Sequence, residues 1–470
     1  MENIKKFTSL NTPARASVWY IASGALGRAV GALLTPIFTR LLTPQEYGLY
    51  PLYTSWIGVI SVLVTLELTG SAIYRGFQKY SDNKDEFMSA SLGLLGTVFV
   101  LFCAVYFAFY GFFFRLTGLD ARISIFMFAE IFTSSVISLY LAKARFEYNY
   151  KAVSTVNMIS ALAAPLVALG LILLIGIKAE ARIYAATVIS VLCAILIMIL
   201  ILKRSDKLYS FEIWRYLLHR SIPLLPHYFA VALILKAGEI SIGRSHGTDA
   251  LAQYSIAVSV GMILTIITSG LLSSLSPWII RKVRDGSIEK VREFLLLLTK
   301  ALLLCSLLIL AAAPEILSFL AADGFRAALA AIYPLEIAVV FSFLSGAIMS
   351  GCAYYERGGL SSIPSFISAG VSILLSFLIL PKVDFRFSGI FTLVSYLILA
   401  LSTSMIFKRL SGKYPIDIKR SALYLVFTAS YAALLLIFKD ALISRIFLTL
   451  PILLLLLISA KDIYRKVREQ

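Results

Sequence analysis

The chain has 470 residues, of which 59% are apolar and only 15% are charged, and its mean hydropathy is +0.88. A soluble domain usually carries about 25% charged residues, so this composition excludes an ordinary soluble enzyme and indicates a protein embedded in lipid. The net charge of +17 does not indicate a nucleic-acid-binding protein, because the basic residues lie in short gaps between long apolar runs.

Fourteen apolar runs follow one another along the chain, each about as long as the roughly 20 residues that a helix needs to cross a bilayer. The predicted transmembrane helices cover residues 17–39, 50–73, 88–114, 123–142, 152–175, 183–202, 221–243, 251–280, 294–321, 332–354, 359–380, 387–407, 421–438 and 442–460. None of the gaps between them is long enough for a soluble domain. We therefore predict an all-α polytopic membrane protein with about 14 transmembrane helices.

The basic residues predict the orientation of these helices. If the N-terminus is cytoplasmic, the predicted cytoplasmic segments hold 29 lysines and arginines and the opposite segments hold 11. Basic residues are enriched in cytoplasmic loops, so this distribution places both termini in the cytoplasm and indicates an even number of spans.

The longest connection, 203–220, is basic and also amphipathic. Its apolar residues at helical spacing are Phe211, Trp214, Leu217 and Leu218. This pattern predicts a helix that lies on the cytoplasmic leaflet. The predicted domains are a six-helix bundle over 1–202, this linker helix over 203–220, a second six-helix bundle over 221–407 and two additional helices over 408–470.

A faint internal repeat supports this division. Arg40 precedes Tyr50 by ten residues after the first predicted span, and Arg244 precedes Tyr254 by ten residues after the seventh. A short turn-forming stretch separates the two residues in both places. Such a repeat fits a transporter that is built from two parallel six-helix halves.

Ionisable residues inside the predicted spans are the candidate functional groups. A central Arg, Lys or Asp costs roughly 2.5 to 3.5 kcal/mol and normally faces a bundle interior or a wet cavity. Arg28 lies at the middle of the first span beside Gly24, Gly27 and Gly31, which permit close helix approach or leave space for a ligand. Arg28 is either a substrate contact or one member of a buried ion pair.

Lys236 and Glu239 lie deep in the seventh span and are three residues apart, so they share one face of the helix. Two interpretations stay open, a simple ion pair between them or a contact of Lys236 with the substrate. Pro223 and Pro226 near the start of this span predict a bend, which is expected near the binding sites of transporters.

The acidic residues Glu67 and Glu130 lie in the second and fourth predicted spans. Each is predicted either to neutralise Arg28 or to bind and release a coupling H⁺ or Na⁺. Arg75, at a cytoplasmic end, either only fixes topology or guides an anionic lipid headgroup. The predicted substrate contacts are Arg28, Lys236, Arg40, Arg75 and Arg244, and the predicted ion-coupling residues are Glu67, Glu130 and Glu239.

Motifs of enzymes and metal sites are absent from the sequence. There is no GxxxxGK[ST] phosphate loop, no GxSxG and no HExxH. The four cysteines and three histidines are scattered without the spacing of metal ligands. We therefore predict no enzyme activity, no metal and no cofactor apart from a coupling H⁺ or Na⁺.

The stretch IFTRLLTPQEYGLYPLYTSW (37–56) resembles the polysaccharide flippases of bacterial O-antigen, capsule and exopolysaccharide pathways, the Wzx type of the MATE-like MOP superfamily. Segments 142–160 and 221–280 are also similar to this family, so the resemblance covers essentially the whole chain. The residues that match the family pattern are Thr39, Arg40, Leu42, Thr43, Pro44, Glu46, Tyr47, Gly48 and Tyr50.

The resemblance implies a MATE-like fold with two six-helix bundles around a central cavity, and transport by alternating access. It implies an oligosaccharide on undecaprenyl diphosphate as substrate, moved from the cytoplasmic to the outer leaflet of the bacterial inner membrane. A diphosphate needs cations in a low-dielectric cavity, which fits Arg28 and Lys236. The expected partners are this lipid-linked glycan, membrane lipid and polysaccharide polymerase or assembly proteins, with no nucleic acid, and the expected state is a monomer.

Three alternatives share parts of this pattern. A MATE-type small-molecule antiporter has the same fold, but such pumps favour cationic drugs, which a cation-lined cavity repels. The peptidoglycan lipid precursor flippases are similar, but their first helix typically carries an Arg-Asp pair, whereas Arg28 is followed by Ala29. A membrane-embedded enzyme of polysaccharide assembly usually has long outer loops, which this chain lacks.

Overall fold

The protein is described by a computed structural model over residues 12–355 and 358–468. All regular secondary structure within these residues is helical, so the predicted all-α class is confirmed. The α-helices, in chain order, are α1 (Thr12–Leu41), α2 (Pro44–Thr65), α3 (Ser71–Lys79), α4 (Lys84–Ala108), α5 (Tyr110–Thr117), α6 (Ala121–Phe146), α7 (Tyr150–Gly170), α8 (Ala181–Leu202), α9 (Phe211–Ser221), α10 (Leu225–Ser245), α11 (Gly247–Arg284), α12 (Ile288–Ala311), α13 (Ala313–Leu320), α14 (Ala328–Ala353), α15 (Gly358–Ile373), α16 (Ser388–Ser411), α17 (Ile418–Ile437) and α18 (Leu442–Arg468).

The protein is a multi-pass membrane protein. Within the described residues, 13 helical segments are long and apolar enough to cross a bilayer, from Pro44–Thr65 to Leu442–Lys466. The first predicted span, 17–39, coincides with α1, of which Ala29–Leu41 is a shorter apolar helix in the described part. Each of the other predicted spans overlaps one of the 13 segments, because hydropathy over about 20 residues is a strong signal.

The second predicted span, 50–73, differs from the helix that forms there. α2 begins at Pro44, because Thr43 caps it: the Thr43 hydroxyl accepts from the Glu46 amide at 3.3 Å, and the Glu46 carboxylate accepts from the Thr43 amide at 2.8 Å. The helix ends at Thr65, where Leu66 and Glu67 have left-handed backbone angles (φ 49° and 50°). The apolar run continues through this break, so hydropathy did not reveal it.

The connection 203–220 is only partly helical, since α9 begins at Phe211. The segment before it and α9 itself both lie against α4: Ser89 Oγ donates to the Lys207 carbonyl at 3.1 Å, and Trp214 Nε1 donates to the Ala90 carbonyl at 2.9 Å. Gly93 of α4 makes this approach possible, because a Cβ there would overlap the carbonyl oxygen of Leu208. After α9, a single 3-10 turn over Ile222–Leu224 leads directly into α10.

The chain divides into two compact units, Met1–Ala232 (unit 1) and Leu233–Gln470 (unit 2). In unit 1, α6 packs against α8, and α1 packs against α7. In unit 2, α14 packs against α11 and α16. Gly389 lets α16 lie close to α14, because a Cβ there would come within 2.7 Å of the Ala331 carbonyl oxygen. The division of the chain into domains at 203–220 and 408 stays a prediction.

Candidate functional site

Unit 2 contains a cavity of about 500 Å³, within the range of small-molecule sites. Side chains of α10, α11, α14 and α16 line it, and most of them are apolar. Lys236 and Glu239 are the only charged residues in this lining, within the part of the chain that the structure describes. We call this space the unit 2 cavity.

Lys236 and Glu239 form an ion pair in the wall of the unit 2 cavity. The Lys236 ammonium lies 3.0 Å from Glu239 Oε1 and 2.8 Å from Oε2. Glu239 is 7% exposed, whereas the Lys236 side chain is 29% exposed, so the lysine is the partner that faces the open space. Because a buried charge without a counter-ion is costly, this pairing stabilises both groups.

Hydroxyl groups complete the polar part of the unit 2 cavity. Tyr254 on α11 lies with its hydroxyl 3.1 Å from Thr392 Oγ1 on α16. Tyr396 and Ser342 also line the space. A ligand with a charged group and several hydroxyls would find both an ionic partner and hydrogen-bonding groups here.

Unit 1 holds a second polar cluster, which is built from three helices. Glu130 on α6 accepts a hydrogen bond from the Tyr53 hydroxyl of α2 at 2.8 Å and one from Thr187 of α8 at 3.4 Å. Tyr53 is fully buried and Thr187 is 3% exposed. Glu130 therefore has neutral hydroxyl partners, and its part in ion coupling stays a prediction.

Arg182 lies beside this cluster at the start of α8, surrounded by aromatic rings. Its guanidinium carbon is 4.0 Å from the ring centre of Tyr50, 4.9 Å from that of Tyr47 and 5.1 Å from that of Phe38. Such contacts stabilise a cation by about 0.5 to 2 kcal/mol. The buried Nη1 of Arg182 has no hydrogen-bond partner in the described part of the protein, so it retains a donor for an anion or a hydroxyl.

Sequence reasoning missed Arg182. Arg182 stands directly before an apolar run, which is typical of a loop charge that only fixes topology. The three rings come from α1 and α2, more than 130 positions earlier in the chain. No local spacing connects them with Arg182, so only the packing of these helices within unit 1 reveals the contact.

The other predicted site residues have separate positions. Arg28 lies in α1, and its side chain falls outside the described residues. Arg40 donates from Nη1 to the Pro36 carbonyl of its own helix at 2.9 Å, and Arg244 is exposed in the last turn of α10. Arg75 is exposed on α3, and Glu67 is half-buried in the break after α2. Their proposed roles stay predictions.

Replacing Tyr53 by Phe is expected to lower the free energy of unfolding by about 1 to 3 kcal/mol, because Glu130 loses its shortest hydrogen bond in a poorly solvated position. Thermal unfolding of the detergent-solubilised protein measures the effect. Tyr140→Phe is the control, since Tyr140 lies on the same helix as Glu130 and its hydroxyl makes no hydrogen bond within the described residues. An equal loss in both variants would contradict the role of this bond.

Comparison with known proteins gives one family match and a shared fold. Residues 14–283, more than half of the chain, match the family described as "Polysaccharide biosynthesis protein". No curated protein sequence matches the chain significantly. Solved structures of transporters have the same fold, and the MATE-like architecture is therefore confirmed.

Three of these structures illustrate the similarity. A multidrug resistance MATE family transporter of the MOP superfamily, in an inward-facing conformation, has a TM-score of 0.64 and 15% identity over 82% of this chain and 96% of its own. The lipid II flippase MurJ, in an inward closed conformation, has a TM-score of 0.70 and 13% identity over 96% of this chain and 99% of its own. A MOP superfamily transporter from Pyrococcus furiosus has a TM-score of 0.56 and 14% identity over 85% of this chain and 96% of its own.

Proposed function

The chain belongs to the family of polysaccharide biosynthesis proteins, and from this premise we propose that it is a flippase for a lipid-linked oligosaccharide. In this proposal it moves a glycan on undecaprenyl diphosphate from the cytoplasmic to the outer leaflet of the bacterial inner membrane. Both termini are then cytoplasmic, as the distribution of basic residues predicts. Transport needs two conformations with different access and no covalent chemistry.

The observation that carries the proposal is the ion pair inside the unit 2 cavity of a chain from this family. A membrane-embedded lysine beside an open space of about 500 Å³ is a fitting partner for a phosphate, and the hydroxyls around it suit a sugar. The cavity takes the headgroup, while the polyprenyl tail stays in the bilayer.

Glu239 gives this site a route to ion coupling. While Glu239 is ionised, it occupies the ammonium of Lys236 at 2.8 Å. A proton on Glu239 would weaken this pair and leave Lys236 available for the diphosphate. Binding of a proton and binding of the headgroup would then favour each other, and by linkage the coupling is reciprocal.

A transfer assay in proteoliposomes tests the proposal. The purified protein is reconstituted in vesicles that contain a fluorescent undecaprenyl-diphosphate oligosaccharide, and the accessibility of the glycan to an added membrane-impermeant quencher is followed over time. We expect transfer to be faster than in protein-free vesicles, and faster still when a proton gradient makes the side from which the glycan leaves the more acidic one. If the reconstituted protein instead exchanged a small organic cation for protons and left the glycan in its original leaflet, the protein would be a small-molecule antiporter.

A further inference from the structure

The helical segment from α9 to the end of α10 is longer than a bilayer requires. Phe211–Ser245 has 35 residues, which as a helix extend over about 50 Å, whereas the hydrocarbon core is about 30 Å thick. α9 carries the charged residues Glu212, Arg215 and Arg220, together with His219. α9 is therefore the part that lies at the membrane surface.

One face of α9 is already packed against unit 1. Ile213 and Leu217 are 4% and 0% exposed in the core of unit 1, and Trp214 is held by its bond to the Ala90 carbonyl. This contact fixes the helix in position. Its remaining apolar side chains are left facing outward.

The outward apolar side chains form a groove of about 470 Å³. Phe211 is 67% exposed and Ile222 is 52% exposed, and Tyr209, Trp214 and Leu218 also line the space. We call this the α9 groove. Its walls are almost wholly apolar, apart from Arg215 and His219 at its edge.

A second space, of about 530 Å³, adjoins the α9 groove and is basic. It is lined by Arg75 of α3 together with His219 and Arg220 of α9, and we call it the basic cleft. His219 and Pro223 line both spaces, so the groove and the cleft share a wall. Both lie wholly within unit 1.

The cations around the basic cleft are not neutralised by the acidic residue nearby. Glu212 is the acid of α9, and it is engaged by Lys79 at 3.3 Å and by the Tyr80 hydroxyl at 2.9 Å. Within the described residues, the side chains of Arg75 and Arg215 make no ion pair, and Arg220 only lies over the ring of Tyr216 at 5.4 Å. An apolar groove beside unpaired arginines is complementary to an amphiphile with an anionic head.

We propose that the α9 groove and the basic cleft together bind one anionic phospholipid of the cytoplasmic leaflet. The acyl chain lies in the groove along Phe211 and Trp214, and the phosphate binds Arg75, Arg215 and Arg220. This site shares no lining residue with the unit 2 cavity, and it does not depend on the proposed flippase activity. Arginine suits the role, because its fork of donors matches the oxygens of a phosphate.

Trp214 provides a direct probe, because it lines the groove. The chain has four tryptophans, and replacing Trp19, Trp56 and Trp278 by Phe leaves Trp214 as the only one. This single-tryptophan protein, held in neutral phosphatidylcholine nanodiscs, is titrated with phosphatidylglycerol or phosphatidylcholine that carries bromine on its acyl chains. We expect half-maximal quenching at a mole fraction of phosphatidylglycerol about tenfold lower than that of phosphatidylcholine.

Charge variants test whether the arginines cause the preference for phosphatidylglycerol. In the triple variant Arg75→Gln, Arg215→Gln, Arg220→Gln in the same background, we expect both lipids to quench Trp214 equally. The three side chains are exposed, so their loss should leave the melting temperature unchanged. Arg409→Gln is the control, since Arg409 is an exposed arginine of unit 2 in a predicted cytoplasmic segment. The Arg409→Gln variant should keep the preference for phosphatidylglycerol over phosphatidylcholine.

Three results would overturn the proposal. Equal quenching by the two lipids in the parent protein would remove the headgroup preference. A preference that survives in the triple variant would remove the arginines from the site. Displacement of brominated phosphatidylglycerol by an equal mole fraction of polyprenyl diphosphate would make the groove a docking site for the transport substrate instead.

Discussion

Replacing Lys236 by Gln is expected to slow transfer of the lipid-linked glycan by about 10- to 100-fold. The substitution removes the ammonium that faces the unit 2 cavity and breaks its ion pair with the buried Glu239 carboxylate. A hydrogen bond to a charged group contributes about 1.5 to 3 kcal/mol, which is the source of this range. The proteoliposome assay with fluorescent glycan measures it.

Two further variants make this result specific. Lys300→Gln removes a lysine from α12, a transmembrane segment of the same unit, but Lys300 does not line the unit 2 cavity, so transfer should stay near the parent rate. Glu239→Gln keeps the ammonium and removes the group that competes for it, so transfer should lose its acceleration by a proton gradient. An unchanged rate in Lys236→Gln would show that the phosphate binds elsewhere, with the flippase activity itself left standing.

Replacing Gly93 by Ala is expected to destabilise unit 1 by about 1 to 3 kcal/mol or more. The new Cβ would overlap the backbone carbonyl of Leu208, which has no flexible side-chain atoms that move aside. The segment before α9 would have to lift away from α4, and the hydrogen bonds of Ser89 to this segment would be strained or lost.

Gly96→Ala is the matched control on the same helix. A Cβ at Gly96 meets nothing within 4 Å, so this variant should be neutral or should gain up to about 1 kcal/mol from the better helix propensity of alanine. Thermal unfolding in detergent compares the two. A melting temperature of Gly93→Ala equal to that of Gly96→Ala would contradict the close packing of residues 203–210 on α4.

The sequence predicted the positions of the apolar helices better than their ends. Hydropathy alone located the 13 segments of the described residues that are long and apolar enough to cross a bilayer, because the cost of exposing polar groups to lipid acts over every long apolar run. It did not reveal the break at Leu66 and Glu67, since most residues on both sides of the break are apolar and the hydropathy of the stretch stays high. It also extended the linker helix back to residue 203, where the chain instead lies along α4.

For the candidate site, the sequence predicted contacts along one helix but not contacts between helices. The spacing of Lys236 and Glu239 placed them on one face, and the structure shows them paired. Glu130 was singled out as a charge within a span, yet its partners Tyr53 and Thr187 come from helices that only folding brings together. No sequence pattern predicts the aromatic contacts of Arg182, because its aromatic neighbours lie far away in the chain.

Lys236 and Glu239 carry opposite charges, so a return step of the unit 2 cavity without substrate would move no net charge. A diphosphate diester carries a negative charge on each phosphate. A site loaded with it, with Glu239 protonated and Lys236 charged, would therefore be net negative. An inside-negative membrane potential favours outward movement of such a site by about 2.3 kcal/mol per elementary charge for each 100 mV. The voltage across the membrane would then supply part of the work of transport.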